Sequence, residues 1–420
     1  MSKTTSRRDI LKAGLSGAAI AGATAAGVKS AAAATADPAE SAPYLTKART
    51  TPGKTFTPYG VPSTHEAQVK RILRPPSVTP GAGGSLTPIE HLEGMITPSG
   101  LHFERHHNGV PDIDPKEHRL LIDGLVQKPL EFTLDALMRY PRISRMHFVE
   151  CGGNSSANAQ PVAPQVTAGG IHGLISCSEW TGVKLSALLD EAGIKPEAKW
   201  ILAESGDAAG HSRSIPLPEA YEQGILVMYQ NGERLRPEQG YPLRLLMPGW
   251  EGNLNIKWLH RIQLAPGPMM TKDETSKYTQ LEKNGIARQF NFIQPPKSVI
   301  TRPSGTFSMS GAGYYQISGI TWSGHGKIAK VEVTTDGGKT WREAEMPGPV
   351  FPQCLAHFRL DWDWDGKDCI IQSRATDEKG HVQPSREAWK AQFSPAQFYQ
   401  YNALQSWAIG ADNSVKNVYA

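Results

Sequence analysis

The pattern of the sequence changes at Pro295 and Pro296. Beyond these prolines, segments such as GYYQISGITWSG and LAHFRLDWDWDG alternate apolar and polar residues with the period of β-strands. Glycine-containing turns separate the segments at 324–326, 336–338 and 365–366. Short alternating strands with such turns, and with no helical pattern between them, predict an all-β sandwich of the immunoglobulin type over residues 293–395. Residues 396–420 are predicted to form a C-terminal tail that lies on the body of the protein.

Residues 96–292 show a different, mixed pattern. HRLLIDGLV alternates like a strand, and ILVMYQNGERL is typical of a strand that runs into an Asn-Gly turn. KLSALLDEAG has the spacing of a short helix that ends at Gly193. Strands and helices mixed in this way predict an α+β domain. The predicted fold class is therefore α+β, with a mixed α/β domain followed by an all-β sandwich.

The first residues have the layout of an export signal. Arg7 and Arg8 precede a weakly apolar stretch rich in Ala and Gly, and a small-residue run with A-x-A cleavage candidates follows. Residues 1–36 are therefore predicted to be a twin-arginine signal that exports the folded protein to the periplasm. Gly and Thr interrupt the apolar run, so no stable membrane span is expected. Residues 37–95 are rich in Pro, Ser, Thr and Gly, which predicts an extended N-terminal arm with one short helix near STHEAQVKRIL.

Charge and cysteine spacing exclude several classes of partner. Residues 1–34 carry five Lys and Arg against one Asp, a net charge of +4, and the whole chain is also +4. The remaining residues therefore sum to zero, and we expect no nucleic-acid partner. The four cysteines form no C-x-x-C-H motif. We therefore expect no haem attached to this chain, so that any electrons it transfers would leave through a partner.

Cys151 is the first candidate for chemistry. RISRMHFVE is typical of a strand, and Cys151 follows it directly, before Gly152 and Gly153. Three interpretations stay open from the residues alone: a buried structural thiol, a disulfide with Cys177, or a ligand of a soft metal. The glycines favour the last, because they let the backbone approach a bound group closely.

Several cations are candidates for binding an anion. Arg244 and Lys257 stand in otherwise apolar strands, and a buried cation needs an anionic partner. No matching run of acids accompanies them, so a bound phosphate is a reasonable hypothesis. HSRSIPL, which contains His211 and Arg213, is either an anion site or a plain loop. In ERHHNGVPD, adjacent histidines point to opposite faces if extended, and no further residues have the spacing of a zinc site.

Together these segments resemble the sulfite oxidase family of molybdenum enzymes. FVECGGNSS resembles the family's cysteine loop, whose usual form is Glu-Cys-Ala-Gly-Asn, and FERHHNGVPD resembles its Arg-Asn-His segment. EQGYPLRLLMPGWEGNLNIKWL resembles its Gly-Tyr-Pro-Leu-Arg segment, and ITWSGHGKIAKVEVTTDGGKTW resembles the start of its dimerisation domain. The resemblance covers residues 96–390. The arm, DETSKYTQL and HVQPSR are most similar to the branch formed by the molybdenum subunits of Sox-type sulfane dehydrogenases.

The resemblance implies a molybdopterin-binding domain with the sulfite oxidase fold at 96–292 and a dimerisation domain at 293–395. It implies molybdenum and molybdopterin as cofactors, with Cys151 as the thiolate ligand of the metal. His107, Arg244 and Lys257 would hold the pterin and its phosphate. Arg105 and Tyr278 would line the substrate pocket, with Tyr278 donating a hydrogen bond beside the metal.

The implied activity is oxidation of sulfur by oxygen-atom transfer in periplasmic thiosulfate oxidation. The implied substrate is a sulfane sulfur on the thiol of a carrier protein, and a c-type cytochrome subunit would receive the electrons. A homodimer within a hetero-oligomer is the implied assembly. Two alternatives remain: a periplasmic sulfite dehydrogenase acting on free sulfite, and a non-catalytic scaffold or adhesion protein.

The sequence also departs from the family pattern. Sulfite-oxidising members carry an arginine five residues after the cysteine, where this chain has Ser156, and the expected C-terminal arginine is absent from AQFYQYNALQSW. Gln239 replaces a pterin-contacting histidine. Fewer cations weaken the capture of a dianion, which favours a larger or less charged substrate. Cys354 and Cys369 share the predicted sandwich and could pair, although free thiols are the preferred interpretation.

Overall fold

The structure is a computed structural model that describes residues 51–75 and 77–420. The predicted signal and the first part of the predicted arm lie outside the described residues. The chain divides into two compact units, Met1–Pro58 and Tyr59–Ala420. Of the first unit, residues 51–58 are exposed and contain no helix or strand. Across the described residues, no helix has both the length and the apolar character needed to cross a membrane.

The described part of the arm contributes a small sheet to the second unit. Strands β1 (Ile72–Leu73), β2 (Gly83–Leu86) and β3 (Glu104–His106) pair antiparallel in that order. Short 3₁₀ helices lie at Thr64–Glu66, Ile89–His91 and Ser99–Leu101. The helix expected near STHEAQVKRIL is therefore a single 3₁₀ turn, because the end of that segment pairs as β1 instead.

Two five-stranded sheets form the mixed domain. The first contains β4 (Arg119–Gly124), β5 (Leu130–Thr133), β8 (Trp200–Ser205), β9 (Ser212–Pro216) and β13 (Leu259–Ala265), in the order β5-β4-β13-β8-β9. The second contains β6 (Arg142–Glu150), β7 (Ile175–Lys184), β10 (Ile225–Gln230), β11 (Glu233–Arg234) and β12 (Arg244–Leu246). Its order is β11-β10-β7-β6, with β12 paired to β10. Only the pair of β4 and β13 in the first sheet is parallel among these described ladders.

Short helices connect these strands. They are α1 (Leu134–Leu137), α2 (Ala168–His172), α3 (Leu185–Ala192), α4 (Leu217–Gln223) and α5 (Lys272–Thr275), with 3₁₀ turns at Ser156–Ala159, Pro237–Gln239 and Gly252–Leu254. Helix α3 buries Leu185, Leu188 and Leu189, whose spacing places them on one face. It ends at Gly193, whose φ of 72° lies in the left-handed region, as the sequence predicts.

The C-terminal domain is a sandwich of two sheets. A short hairpin, β14 (Gln280–Leu281) and β15 (Ala287–Arg288), precedes it. One sheet has the order β16-β17-β20, from β16 (Lys297–Arg302), β17 (Gly313–Trp322) and β20 (Ala356–Trp364). The other has the order β19-β18-β21-β22-β23, from β18 (Ile328–Thr334), β19 (Arg342–Glu343), β21 (Cys369–Asp377), β22 (Ser406–Ile409) and β23 (Val415–Val418). Helix α6 (Arg386–Gln392) lies between β21 and β22 in the sequence.

The prediction of a C-terminal tail over residues 396–420 is wrong. This segment supplies β22 and β23, which extend the five-stranded sheet of the sandwich. Trp407 and Ile409 are buried in the core, and the indole N–H of Trp407 donates to the carbonyl of Ile300 at 3.0 Å. Strands of only four residues are too short to leave a clear periodic pattern, which is why the sequence does not reveal them.

The sandwich and the mixed domain share one hydrophobic core. Phe148 and Ile175, from β6 and β7, pack in the same cluster as Val299, Ile320 and Trp322 of the sandwich. The strands that lead to Cys151 are therefore packed against the C-terminal domain.

All four cysteines are free thiols. Neither pairing considered from the sequence, Cys151 with Cys177 or Cys354 with Cys369, is present. Instead the sulfur atoms of Cys177 and Cys354 lie 3.3 Å apart in the shared core.

Candidate active site

Cys151 stands where β6 ends and the chain turns. Its N–H donates to the carbonyl of Leu174 at 3.0 Å, and its carbonyl accepts from the N–H of Asn154 at 2.8 Å. A Cβ atom at Gly152 would overlap Oε1 of Glu251, so any side chain there would force the Glu251 side chain to move. These backbone bonds fix the thiol at the end of the strand.

The thiol faces a cavity of about 720 Å³, measured with its open mouth. All six residues proposed from the sequence line this cavity: Cys151, Arg105, His107, Arg244, Lys257 and Tyr278. The fold therefore brings together side chains from several separate segments of the chain. Gln239 also lines the cavity, whereas Ser156 begins a 3₁₀ turn and does not.

Arg244 and Lys257 have no carboxylate within ion-pair distance among the described residues. The guanidinium of Arg244 is buried and donates to backbone carbonyls, including that of Gln239 at 3.1 Å, while its Nε has no described partner. Lys257 Nζ donates to the carbonyl of Arg105 at 3.2 Å. Burial lowers the pKa of Arg244 to about 9 and that of Lys257 to about 7. A phosphate bound here would oppose both shifts, because it would supply the missing anionic partner.

Tyr278 and two histidines form a cluster of rings on one wall. The rings of His107 and His211 stack with centroids 5.5 Å apart, and Tyr278 Oη lies 3.3 Å from Nε2 of His107. Burial, followed by the charge of Arg105, lowers the pKa of His107 to about 3, so this histidine is neutral. Burial and the negative charges of Cys151 and Glu251 raise the pKa of Tyr278 well above its ordinary value. The phenol therefore stays protonated and can donate a hydrogen bond into the cavity.

In the segment HSRSIPL, one residue lines the cavity and another has a structural role. His211 lines the cavity, and its Nε2 lies 2.8 Å from the carbonyl of Asn253. Arg213 is buried and bonds Glu274 through its Nε at 2.8 Å, with its guanidinium carbon 4.9 Å from the ring centre of Tyr278. Because the carboxylate of Glu274 already neutralises Arg213, this residue is not a free anion site. Its guanidinium packs against the ring of Tyr278 instead.

Glu251 is a buried acid that the sequence patterns did not single out. It lies in the PGWEGN turn, is 1% exposed, and has one carboxyl oxygen without a described partner. Burial, as the largest cause, raises its pKa to about 7. The only sequence signal for Glu251 was an acid placed among Pro, Gly and Trp. Its contact with the Gly152 position depends on the fold and could not be read from the sequence.

A second buried polar cluster holds the cysteine loop against the sandwich. The indole N–H of Trp322 donates to Oε2 of Glu150 at 2.7 Å, and Lys297 Nζ lies 3.5 Å from Oε1 of the same carboxylate. Lys297 also donates to the hydroxyl of Ser155 and to the carbonyl of Tyr401. Both residues that flank the loop, Glu150 and Ser155, are therefore anchored by side chains of the C-terminal domain.

Comparison with known proteins identifies two family domains in the chain. Residues 107–272 match the family model "Oxidoreductase molybdopterin binding domain", and residues 293–400 match "Mo-co oxidoreductase dimerisation domain". The crystal structure of the sulfane dehydrogenase SoxCD from Paracoccus pantotrophus aligns with a TM-score of 0.88 and 41% identity, covering 92% of this chain and 100% of that chain. The chain belongs to the sulfite oxidase family of molybdenum enzymes.

Other relatives in this family are more distant. Mitochondrial sulfite oxidase of Mus musculus is 30% identical over 325 residues, covering 70% of this chain and 58% of the relative. Nitrate reductase (NADH) of Ulva prolifera is 28% identical over 341 residues, covering 71% of this chain and 39% of the relative. The chain therefore spans less than two thirds of the length of these relatives.

These findings confirm the predicted family, its fold class and a molybdenum oxidoreductase, and they argue against the non-catalytic scaffold. The residues present also fit the expected cofactor. A thiol fixed on the cavity wall is a soft ligand suited to a thiophilic metal, and Arg244 and Lys257 are cations that need an anion. The orphaned Nε of Arg244 is a donor available for a phosphate.

Proposed function

We propose that this protein oxidises a sulfane sulfur carried on a protein thiol, using molybdopterin-bound molybdenum, in periplasmic thiosulfate oxidation. The observation that carries the proposal is the 41% identity and TM-score of 0.88 to a sulfane dehydrogenase over its whole chain. The cavity supports it, because the Cys151 thiol and the two uncompensated cations line the same space.

The chain's own residues have distinct roles in this proposal. Cys151 supplies the thiolate ligand, while His107, Arg244 and Lys257 hold the pterin and its phosphate. When bound, the cofactor supplies the two-electron oxidation in which sulfur gains an oxygen atom from water. The protein contributes position and electrostatics, which act strongly in a site shielded from water.

Arg105 and Tyr278 face the substrate. Arg105 lines the cavity as a cation, and Tyr278, whose pKa is raised further by burial, is a hydrogen-bond donor at neutral pH. A hydrogen-bond donor and a cation at this position would stabilise the negative charge that builds up on the oxygens of an oxidised sulfur.

The electrons leave through a c-type cytochrome subunit in this proposal. The sequence contains no C-x-x-C-H motif for covalent haem attachment, so a partner is needed to accept them. The match to a dimerisation-domain model supports a homodimer within the larger assembly. Arg7 and Arg8 in the leader support export through the twin-arginine route to the periplasm.

The second candidate is a periplasmic sulfite dehydrogenase that acts on free sulfite. The 30% identity to mouse sulfite oxidase favours it, whereas Ser156, where sulfite-oxidising members carry arginine, opposes it. The two candidate functions differ in the size of the substrate, which is a sulfur carried on a protein in the first and free sulfite in the second.

Turnover on the two substrates separates these candidates. The purified holoenzyme, with its molybdenum and pterin content measured, is assayed with carrier-bound persulfide and with free sulfite, using cytochrome c reduction as the readout. We expect faster turnover of the carrier-bound substrate, and Cys151→Ser should abolish it. Efficient oxidation of free sulfite alone would contradict the proposal and support the second candidate.

A further inference from the structure

Two cysteines lie next to each other where the mixed domain packs against the sandwich. Cys177 belongs to β7 and Cys354 stands two residues before β20, so the two thiols come from different domains. Their sulfur atoms are 3.3 Å apart, within the hydrophobic cluster that both domains share. The residues are 177 positions apart in the sequence, so only the fold brings the two thiols together.

Backbone hydrogen bonds hold both cysteines in place. Cys177 pairs with Phe148 across β6 and β7, and the N–H of Phe148 donates to the carbonyl of Gln353 at 3.2 Å. Gln353 directly precedes Cys354, so the same pair of strands positions both thiols. The carbonyl of Cys177 also accepts from the N–H of Thr97 at 2.7 Å. The backbone is therefore fixed on both sides of the contact between the sulfur atoms.

These thiols are separate from the candidate active site. Cys177 and Cys354 are not among the described residues that line the cavity around Cys151. They are 0% and 3% exposed, and Cys354 Sγ also lies 3.9 Å from the sulfur of Met95. The sulfur atoms of a disulfide are about 2.05 Å apart, so the pair needs to approach by only about 1.3 Å.

An exposed segment leads directly to Cys354. Residues 347–352 contain no helix or strand, and all of them except Val350 are exposed. Cys354 is the first buried residue after this segment. A segment with few buried contacts opens locally at a lower free energy than the strands around it. An oxidant can therefore reach Cys354 while the rest of the fold stays intact.

We propose that Cys177 and Cys354 form a redox-sensitive pair whose disulfide locks the two domains together. The pairing rests on this geometry, whereas exposure to an oxidising compartment rests on the proposed export. The oxidant is itself a disulfide, such as oxidised glutathione. The thiolate of Cys354 attacks it and releases one thiol, and the thiolate of Cys177 then displaces the second thiol from the mixed disulfide. The two cysteines lose two electrons and two protons, and the oxidant is reduced to two thiols.

The disulfide joins the domains close to the cysteine loop. Phe148, which packs with both cysteines, is three residues before Cys151 on the strand that leads to it. A bond between residues 177 positions apart closes a long loop, which limits the freedom of the unfolded chain. The bond therefore stabilises the fold that holds Cys151 without adding a group to the cavity.

Peptide mapping of the purified holoenzyme tests the pairing. Wild type is equilibrated with reduced or oxidised glutathione, denatured in the presence of an alkylating reagent, and digested without reduction. We expect peptides linked through Cys177 and Cys354 in the oxidised sample only. Cys369→Ser, the matched control in the sandwich, should give the same linked peptides. Cys177 and Cys354 both alkylated in the oxidised wild type, or linked only to other cysteines, would overturn the proposal.

Thermal unfolding of the same samples tests the lock. From the entropy of closing so long a loop, we expect oxidation to raise the Tm of wild type and Cys369→Ser by about 5 °C. Cys354→Ser and Cys177→Ser should have the same Tm with either form of glutathione. A linked wild type whose Tm does not rise would contradict the proposal. Neither measurement uses turnover, so their outcome is independent of which substrate the enzyme oxidises.

Discussion

Lys297→Met tests whether the C-terminal domain holds the cysteine loop through a buried ion pair. Lys297 and Glu150 are 2% and 5% exposed at their side chains, with 3.5 Å between Nζ and Oε1. Methionine fills a similar volume but leaves the carboxylate without its cation. Removing one member of a buried pair costs about 3–5 kcal/mol, because the remaining charge stays desolvated. We expect a loss of that size in the free energy of unfolding.

A second variant separates charge from packing. Glu150→Gln in the Lys297→Met background removes the stranded charge, and the amide oxygen can still accept from Trp322, which donates at 2.7 Å in the wild type. We therefore expect the double variant to regain most of the lost stability. Lys330→Met is the matched control in the same domain, since Lys330 is 42% exposed in its pair with Glu332 and should contribute about 1 kcal/mol or less.

Urea unfolding of the apoenzyme, followed by fluorescence, gives the free energies, and metal analysis gives the molybdenum content of the same variants. We expect Lys297→Met to retain less molybdenum, because Glu150 directly precedes Cys151. The reasoning is refuted if Lys297→Met costs no more than Lys330→Met, or if the double variant is no more stable than Lys297→Met alone.

Three further predictions concern the cavity itself. Burial raises the pKa of Glu251 from 4.5 to about 7, so the stability of the apoenzyme should fall as pH rises through that window, since the unfolded carboxyl releases its proton first. In wild type, the free energy of unfolding in urea should decrease on the order of 2–3 kcal/mol between pH 4.5 and pH 8, and this decrease should be absent in Glu251→Gln. An unchanged pH profile in the variant would contradict this. The Lys257→Met variant should retain at least about tenfold less pterin than wild type, measured as pterin fluorescence after gel filtration, because a charge-assisted contact to phosphate is lost. The Lys70→Met variant should retain as much pterin as wild type. Gly152→Ala should purify with little molybdenum, because a methyl group there collides with Glu251; wild-type metal content would count against the fixed loop.

The sequence predicts the parts of the site whose signals are local. The strand before Cys151, the glycines after it and the cations in apolar strands are each visible within ten residues. Helix α3 follows in the same way from its apolar spacing and Gly193. These features come from backbone conformation and burial, which leave local patterns in the sequence.

The remaining parts depend on contacts between distant segments. Glu150 meets Trp322 across 172 positions, and Gly84 pairs with Arg105 only through the register of two short strands. Strands β22 and β23 join the sandwich with too few residues to establish a period. No local pattern specifies such pairings, because they are fixed by which surfaces pack together in the folded chain.

The anchoring of the cysteine loop also sets an order of events during biosynthesis. Lys297, which bonds Ser155 in that loop, donates in turn to the carbonyl of Tyr401 at 2.9 Å. Tyr401 lies 250 positions after Cys151 in the sequence, so a ribosome translates it long after the cysteine loop. The pocket therefore acquires its final shape late in translation, and a cofactor inserted before then would meet an incomplete receptor.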